Sequence, residues 1–241
     1  MTTLQHSQAK SEKPRLERSG INRIIQILFS IVLMGLVLFL TAGRIDWPAA
    51  WIFLGTYALT ILTVGIWVAR KHPDVVNERG KIAHNAKSWD KVLMTIYAVM
   101  LLAVFAVAGL DAGRFGWSVM PLAVQIAGYI ALLLAMTVTY WAMAANPFLS
   151  TVVRIQADRG HYVVTSGPYR YVRHPMYAMM FFMWPGTALT LGSWWALLPA
   201  AVIVIVFVIR TALEDRTLQA ELPGYPAYAQ RVRYRLVPGI W

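Results

Sequence analysis

Residues 176–209, MYAMMFFMWPGTALTLGSWWALLPAAVIVIVFVI, decide the fold of this chain. No charged side chain occurs in this segment, which is too long for a single crossing because about 20 residues span the hydrocarbon core of a bilayer. Pro185-Gly186 and Gly192-Ser193 interrupt it. We therefore predict a tight membrane hairpin of two helices at 176–191 and 194–209, the first of them short.

Four further apolar runs precede this hairpin, at residues 24–41, 47–69, 92–110 and 119–144. Each has about the length that a helix needs to cross a bilayer. The whole chain is 58% hydrophobic and only 14% charged, whereas soluble domains contain about 25% charged residues. These features predict an all-α integral membrane protein with about six transmembrane helices.

The basic residues indicate which side of the membrane each segment faces. Of the 22 Lys and Arg residues, 20 fall on one side of the six-helix arrangement, and only Arg44 and Arg114 fall on the other. The positive-inside rule predicts that the basic side, with both termini, is cytoplasmic. Anionic lipid headgroups then explain the net charge of +11, and we do not expect nucleic acid as a partner.

The residue types also limit the chemistry. The chain has no cysteine, which excludes a cysteine nucleophile and thiolate metal ligands. No metal-binding pattern accompanies His72 and His84, which we interpret as solvated loop residues, and we predict no metal site.

Composition divides the chain into three parts. We predict a mobile basic tail at 1–20, accessory transmembrane helices at 21–110 and a core at 111–241 with a C-terminal cytoplasmic segment. Between the fourth span and the hairpin, two short β-branched runs at 152–156 and 161–165 flank Asp158-Arg159-Gly160. This pattern suggests a small β-hairpin, and an irregular loop is the alternative.

Polar side chains are concentrated at the two ends of the membrane hairpin. TSGPYRYVRHPMY, residues 165–177, comes directly before it, and Glu214 comes just after it. An antiparallel hairpin should bring Glu214 close to Arg173 and His174. An interfacial anchor would explain the first cluster alone, and an i,i+4 pair with Arg210 would explain Glu214 alone. Together they predict a pocket.

The acidic and aromatic residues of this region suit a cationic ligand with a ring system. Carboxylates are scarce after residue 111, so an acidic group at a strongly basic face favours a sulfonium or ammonium ligand. Tyr225 and Tyr228 are three residues apart and would share one face of a helix. A nucleoside could rest against them, although a peripheral helix lying on lipid headgroups is the better explanation of the segment when it is taken by itself.

The motifs resemble one family of membrane enzymes. GPYRYVRHPMY at 167–177, EDRTL at 214–218 and GYPAY at 224–228, with Arg233, are similar to the isoprenylcysteine carboxyl methyltransferases, which resemble membrane phospholipid methyltransferases. The likeness covers roughly residues 111–241. It implies an enzyme that binds S-adenosylmethionine in a cytoplasmic pocket after the last helical hairpin. Two departures are Met179, where the family usually has Gly, and Asp215, where it usually has a second Glu.

The resemblance also implies roles for individual residues. Arg173 would orient the acceptor and Glu214 would bind the ammonium group of the cofactor, which makes these two the predicted catalytic residues. The predicted cofactor-binding residues are Tyr169, His174, Pro175, Tyr177, Glu214, Tyr225 and Tyr228.

Several acceptors and activities agree with these residues. We expect a lipophilic acceptor that enters from the bilayer, such as the carboxylate of a prenylcysteine-like compound, and a phospholipid amine or a thiol is the alternative. Sterol reductases share part of the signature, so an NADPH-dependent reductase is a second possibility. A non-enzymatic membrane module is a third, although spans with almost no ionisable residues do not suit a transporter. The sequence gives no indication of the oligomeric state.

Overall fold

The computed structural model describes residues 15–71, 73–81 and 87–241, and within them all regular secondary structure is helical. The prediction of an all-α protein is therefore confirmed for this part of the chain. Most of the predicted tail, together with His72 and His84, lies outside the described residues. The α-helices are α1 (Arg18–Ala42), α2 (Pro48–Lys71), α3 (Pro73–Gly80), α4 (Ser88–Ala108), α5 (Leu122–Ala145), α6 (Pro175–Ala178), α7 (Met180–Thr190), α8 (Leu197–Glu221) and α9 (Tyr225–Arg231).

Within the described ranges, five helices are long and apolar enough to cross a membrane. They are α1, α2, α5, α8 and α4, which continues as the π-helical segment Gly109–Phe115. Large apolar side chains such as Leu40, Leu59 and Leu134 are exposed on them, as expected for surfaces that face lipid. The protein is therefore an integral membrane protein by the character of its helices.

The predicted membrane hairpin has a shorter first arm than a membrane span. This arm consists of α6 and α7, which are separated at Met179. Pro185-Gly186 lies inside α7 and does not end it, whereas Gly192, at a φ of +81°, lies in the turn that leads to α8. Five helices rather than six thus reach the length of a span, and the number of crossings and the cytoplasmic placement of both termini stay predictions.

Glycines allow α7 to pack directly against α5. A Cβ atom on Gly186 would lie 2.8 Å from the carbonyl oxygen of Gly128, and a Cβ atom on Gly128 would lie 2.5 Å from the Cβ of Leu189. Small residues at such contacts let helix backbones approach closely in membranes, where packing rather than water exclusion drives association. This contact fixes the short arm of the hairpin in the helical bundle.

Buried polar contacts fix α8 at its middle and before its start. At the middle of the helix, Arg210 donates from Nε to Asp90 of α4 at 2.8 Å. Before its N-terminal end, the hydroxyl of Ser193 donates to Asp111 in the π-helical segment at 2.6 Å. Both carboxylates are fully buried. The position of α8, and of the polar residues at its C-terminal end, is therefore set by specific hydrogen bonds as well as by apolar packing.

The predicted β-hairpin at 152–165 is wrong, because this segment has no strand and forms an irregular loop with a 3₁₀ turn at Ala157–Arg159. The turn lies where it was predicted, and Gly160 ends it with a φ of +62°. The loop is held by the buried side chain of Gln156, whose amide donates to the Phe148 carbonyl and accepts from Arg159 at 2.7 Å. A ladder of backbone hydrogen bonds is thus replaced by side-chain contacts.

Candidate functional site

The motif at 165–177 forms two turns at the end of α5. Gly167, at a φ of +59°, starts a 3₁₀ turn over Gly167–Arg170, and an added Cβ would lie 2.9 Å from the Cβ of Ala145. Pro175 occupies the first position of α6, where its missing N–H leaves no hydrogen bond unmade. These two turns present the side chains between them toward the C-terminal end of α8.

Asp215 is the centre of a buried polar cluster. Its carboxylate accepts two hydrogen bonds from Arg173, from Nε at 2.7 Å and from Nη2 at 3.0 Å. It also accepts from the hydroxyl of Tyr225 at 2.9 Å and from Nε of Arg235 at 2.9 Å, and His174 Nε2 lies 3.3 Å away. Because the carboxylate has no exposed surface, its charge is compensated by these groups rather than by water.

The C-terminal segment closes over the motif through its backbone. The amide of Arg173 donates to the Tyr234 carbonyl at 2.9 Å, and the amide of His174 donates to the Arg235 carbonyl at 2.9 Å. The hydroxyl of Tyr228 donates to the Tyr169 carbonyl at 2.6 Å. The segment after α8 is therefore part of the site and not a detached peripheral helix.

A cleft lies between the motif, α8 and α9. All the residues that the sequence predicted for the site line it, namely Tyr169, Arg173, His174, Pro175, Tyr177, Glu214, Tyr225 and Tyr228. The rings of His174 and Tyr177 are parallel, with an angle of 7° between their planes. Those of Tyr225 and Tyr228 meet edge to face, with centroids 5.5 Å apart. The sequence-predicted residues thus surround one space.

Glu214 differs from the other acids of this region. Its Oε2 accepts a hydrogen bond from the hydroxyl of Tyr177 at 2.7 Å, and the carboxylate faces the cleft. No Lys, Arg or His among the described residues forms an ion pair with it, since Arg210 binds Asp90 and Arg173 binds Asp215. The expected pair with Arg210 is therefore not the arrangement that the fold adopts. A half-buried carboxylate is left to meet a cation in the cleft.

The protonation states around the cleft follow from burial. Burial raises the pKa of Tyr225, and the neighbouring Asp215 charge raises it further. Burial likewise raises the pKa values of Tyr169 and Tyr228. For Arg173, burial disfavours the charged form, but hydrogen bonds to Asp215 outweigh it and raise the pKa. The cleft therefore presents neutral phenols and one acidic group at neutral pH.

The geometry changes the interpretation of Arg173. The sequence led us to expect that this guanidinium would orient the acceptor, but it makes four hydrogen bonds within the protein, two to Asp215 and two to the carbonyls of Val232 and Arg233 at 2.8 Å. Its bidentate contact is made to an internal carboxylate. Arg173 thus connects α8 to the C-terminal segment, and we interpret it as a positioning residue.

Sequence reasoning missed two groups of residues at this site. It treated Asp215 as the neighbour of Glu214 and did not predict its central role, although successive helical residues point about 100° apart and so face different partners. It also missed His161, Tyr162 and Val163, which line the cleft from the irregular loop. No local pattern could have predicted the latter, because their placement depends on the buried contacts of Gln156.

Comparison with known families agrees with the resemblance. Residues 123–222 match the family model described as phospholipid methyltransferase, in agreement with the predicted resemblance to membrane methyltransferases. None of the curated proteins matches the chain. The matched region contains the motif at 165–177 and the acids Glu214 and Asp215 of α8, and it ends before Tyr225 and Tyr228.

Proposed function

On the premise that residues 123–222 belong to the phospholipid methyltransferase family, we propose that the protein is an S-adenosylmethionine-dependent methyltransferase that acts on a lipophilic acceptor from the bilayer. The observation that carries this proposal is the carboxylate of Glu214, which lines the cleft and forms no salt bridge among the described residues, since the nearby Arg210 is bound to Asp90. The amino acid part of S-adenosylmethionine offers an ammonium group, and its sulfonium is a second cation.

The residues present fit this cofactor. Glu214 would bind the ammonium group through charge-assisted hydrogen bonds, which are among the strongest in proteins. The rings of Tyr225 and Tyr228 offer apolar faces for a nucleoside. Asp215 and Arg173 would hold α9 and the motif at the distance that the cofactor needs, without touching it. When bound, S-adenosylmethionine supplies an electrophilic methyl group on sulfur.

The work left to the protein is alignment and the exclusion of water. Methyl transfer needs the acceptor in line with the methyl group, and a fixed geometry can supply a large part of the barrier reduction. A carboxylate acceptor needs no base, whereas an amine or a thiol must lose a proton. Burial raises the pKa values of the phenols around the cleft, so they cannot accept that proton, whereas His161 and His174, which also line the cleft, are residue types that can. The cleft therefore agrees with a carboxylate acceptor and with an amine or thiol acceptor.

A nicotinamide cofactor suits the cleft poorly. Its phosphates need cationic partners, but Arg173 and Arg235 are both bound to Asp215. The group that remains for a ligand is the acid Glu214, which would repel phosphate. We therefore favour the methyl donor over NADPH.

Calorimetry on the dialysed, detergent-solubilised protein tests this proposal. We expect S-adenosylhomocysteine to bind and NADPH not to bind. Glu214→Gln should weaken S-adenosylhomocysteine binding by about 1.5–3 kcal/mol, roughly 10- to 100-fold, because it removes a charged hydrogen-bond acceptor. Glu221→Gln is the matched control, because this acid lies on the same helix but is exposed and bound to Lys87 at 2.7 Å. Binding of NADPH alone would contradict the proposal, and binding of neither compound would favour a non-enzymatic module.

A further inference from the structure

A second cavity lies beside the cleft, inside the membrane-spanning part of the protein. Its volume is about 420 Å³, which is within the range of about 300–1,000 Å³ that small-molecule sites occupy. Side chains of all seven helices from α1 to α7 line it, and most of them are apolar. Met176 lines both the cavity and the cleft, so the two spaces are neighbours.

Three polar atoms in the wall of this cavity are buried without a hydrogen-bond partner among the described residues. They are Nη1 of Arg79, Oγ1 of Thr139 and Nε1 of Trp184. Leaving a buried polar group unpaired costs about 1–3 kcal/mol, and more if it is charged. Native proteins leave few such groups, and three around one apolar cavity indicate a ligand that carries polar atoms.

Arg79 is the most informative of the three. The other charged residues of its helix are used elsewhere: Asp74 binds Arg159 at 2.9 Å, and Glu78 binds Arg154 and Lys81. These contacts fix α3 against the irregular loop, and Arg79 lines the cavity with its Nη1 unpaired among the described residues. Arg79 is thus a cation in an apolar wall with no anion paired to it in the described part of the chain.

The charge of Arg79 depends on its surroundings. Burial lowers its pKa to about 10, the positive charge of Arg23 lowers it too, and the phenols of Tyr177, Tyr140 and Tyr169 act in the opposite direction. The guanidinium therefore stays charged at neutral pH. Tyr177 is the residue that donates to Glu214, and Tyr169 lines the cleft. Because Met176 lines both spaces, an anion bound in this cavity would lie in a space that adjoins the cleft of the proposed methyl donor.

We propose that this cavity binds the acceptor, a lipophilic molecule with a single chain, and that Arg79 selects it by its carboxylate. This inference rests on the proposed function and assigns to Arg79 the anion recognition that Arg173 cannot provide. The apolar chain would occupy the cavity between the helices. Arg79 lies outside the region that matches the family, so acceptor selection would come from the accessory helices.

The chemistry balances without a further reactant. A carboxylate oxygen attacks the methyl carbon, a carbon–oxygen bond forms, and the carbon–sulfur bond breaks with its electron pair left on sulfur. The products are a methyl ester and a neutral thioether, and no proton is transferred. Because the ester has lost the negative charge, it binds Arg79 less well than the substrate does, which favours release.

Equilibrium binding of radiolabelled hexadecanoic acid to the detergent-solubilised full chain tests the inference. Unlabelled hexadecanol, hexadecylamine and hexadecyl phosphate serve as competitors. We expect the acid to bind at least about 10-fold more tightly than the alcohol or the amine, as a charged hydrogen bond implies. Equal affinity of acid, alcohol and amine for the wild-type protein would overturn the inference. A second result would also overturn it: hexadecyl phosphate binds more tightly than hexadecanoic acid, and labelled S-adenosylmethionine does not methylate the acid.

Variants at the guanidinium sharpen the test. Arg79→Gln should weaken binding of the acid about 10- to 100-fold and leave binding of the alcohol unchanged, and Arg79→Lys should restore most of the preference. Lys81→Gln is the control, because this exposed cation lies two residues away and binds Glu78. An equal effect of Arg79→Gln and Lys81→Gln would overturn the role of Arg79.

Binding of S-adenosylhomocysteine by each variant separates the two proposals. If the Arg79→Gln protein binds S-adenosylhomocysteine and also binds hexadecanoic acid as tightly as the wild-type protein does, the inference fails and the proposed function stands. If the wild-type protein does not bind it, the proposed function fails whatever the acid does. If Arg79→Gln does not fold, the comparison of acid, alcohol and amine on the wild-type protein decides.

Discussion

Replacement of Asp215 by Asn is the most direct test of how the site is held together. The side chain keeps its size but loses the charge that compensates Arg173 and Arg235, both of which donate to it at 3.0 Å or less. An amide can accept through only one of its two terminal atoms, so the bidentate contact with Arg173 is lost as well. The hydroxyl of Tyr225 would compete for the single remaining acceptor.

The expected magnitude follows from the burial of this cluster. Removal of one partner from a buried ion pair costs about 3–5 kcal/mol, because the other charge is left uncompensated. For a chain of this size, each 1 kcal/mol lowers the melting temperature by about 2–4 °C, so a decrease of roughly 6–20 °C is expected. The effect should be large because Asp215 has no exposed surface.

Thermal unfolding of the detergent-solubilised protein, followed by the loss of the monodisperse peak in size-exclusion chromatography, measures this decrease. Asp158→Asn is the matched control, because Asp158 is exposed and contacts only Arg154 at 3.2 Å, and little change is expected there. S-adenosylhomocysteine binding by Asp215→Asn should also fall, since α9 would lose its attachment. A melting temperature equal to that of the control, together with normal binding, would refute the view that Asp215 holds the cleft together.

Three further predictions concern the cleft, the helix packing and pH. Tyr177→Phe removes the hydroxyl that donates to Glu214 at 2.7 Å and should weaken S-adenosylhomocysteine binding in calorimetry by about 0.5–1.5 kcal/mol. Gly186→Ala should lower the melting temperature, since its Cβ would lie 2.8 Å from a backbone oxygen of α5 and overpacking costs about 1–3 kcal/mol. Gly65→Ala, where an added Cβ meets no atom within 4 Å, should raise the melting temperature slightly, because the free energy of unfolding should increase by about 0.5–1 kcal/mol. Burial and two nearby arginines lower the pKa of His161 in the folded protein, so this histidine takes up a proton in the unfolded chain first as the pH decreases. The free energy of unfolding should therefore fall below about pH 6.5. His161→Gln should reduce that fall in melting curves measured over a series of pH values.

The sequence predicts those parts of the fold that depend on local composition. The long apolar runs indicated the five helices that could span a membrane, and Gly192 marked the turn before α8. The short arm of the hairpin was harder to predict, because Pro185-Gly186 reads as an interruption of a helix. In the structure Gly186 is a contact point for α5, and its meaning depends on Gly128, which lies far away in the sequence.

The site shows the same limit in its polar residues. Composition and the antiparallel hairpin were enough to place Glu214 near the motif at 165–177, but they could not distinguish its role from that of Asp215. Adjacent helical residues differ by about 100° in direction, so the partner of each acid depends on which tertiary neighbours lie on its side. Here Asp215 faces two arginines inside the protein, and Glu214 faces Tyr177 and the cleft.

The site is completed by residues outside the region that the family shares. Residues 123–222 supply the motif and both acids, but Tyr225, Tyr228 and Arg235 follow that region, and Arg79 precedes it. The shared region therefore holds Glu214 and the motif proposed for the donor, and Tyr225 and Tyr228 add to them from outside it. The accessory helices supply Arg79 and line the cavity proposed for the acceptor together with α5, α6 and α7. If this division is correct, exchange of α1 to α3 between related proteins should change which lipophilic acid is methylated and leave S-adenosylhomocysteine affinity unchanged. A donor affinity that changes with α1 to α3, while the acceptor preference stays constant, would show that the accessory helices support the cleft and do not select the acceptor.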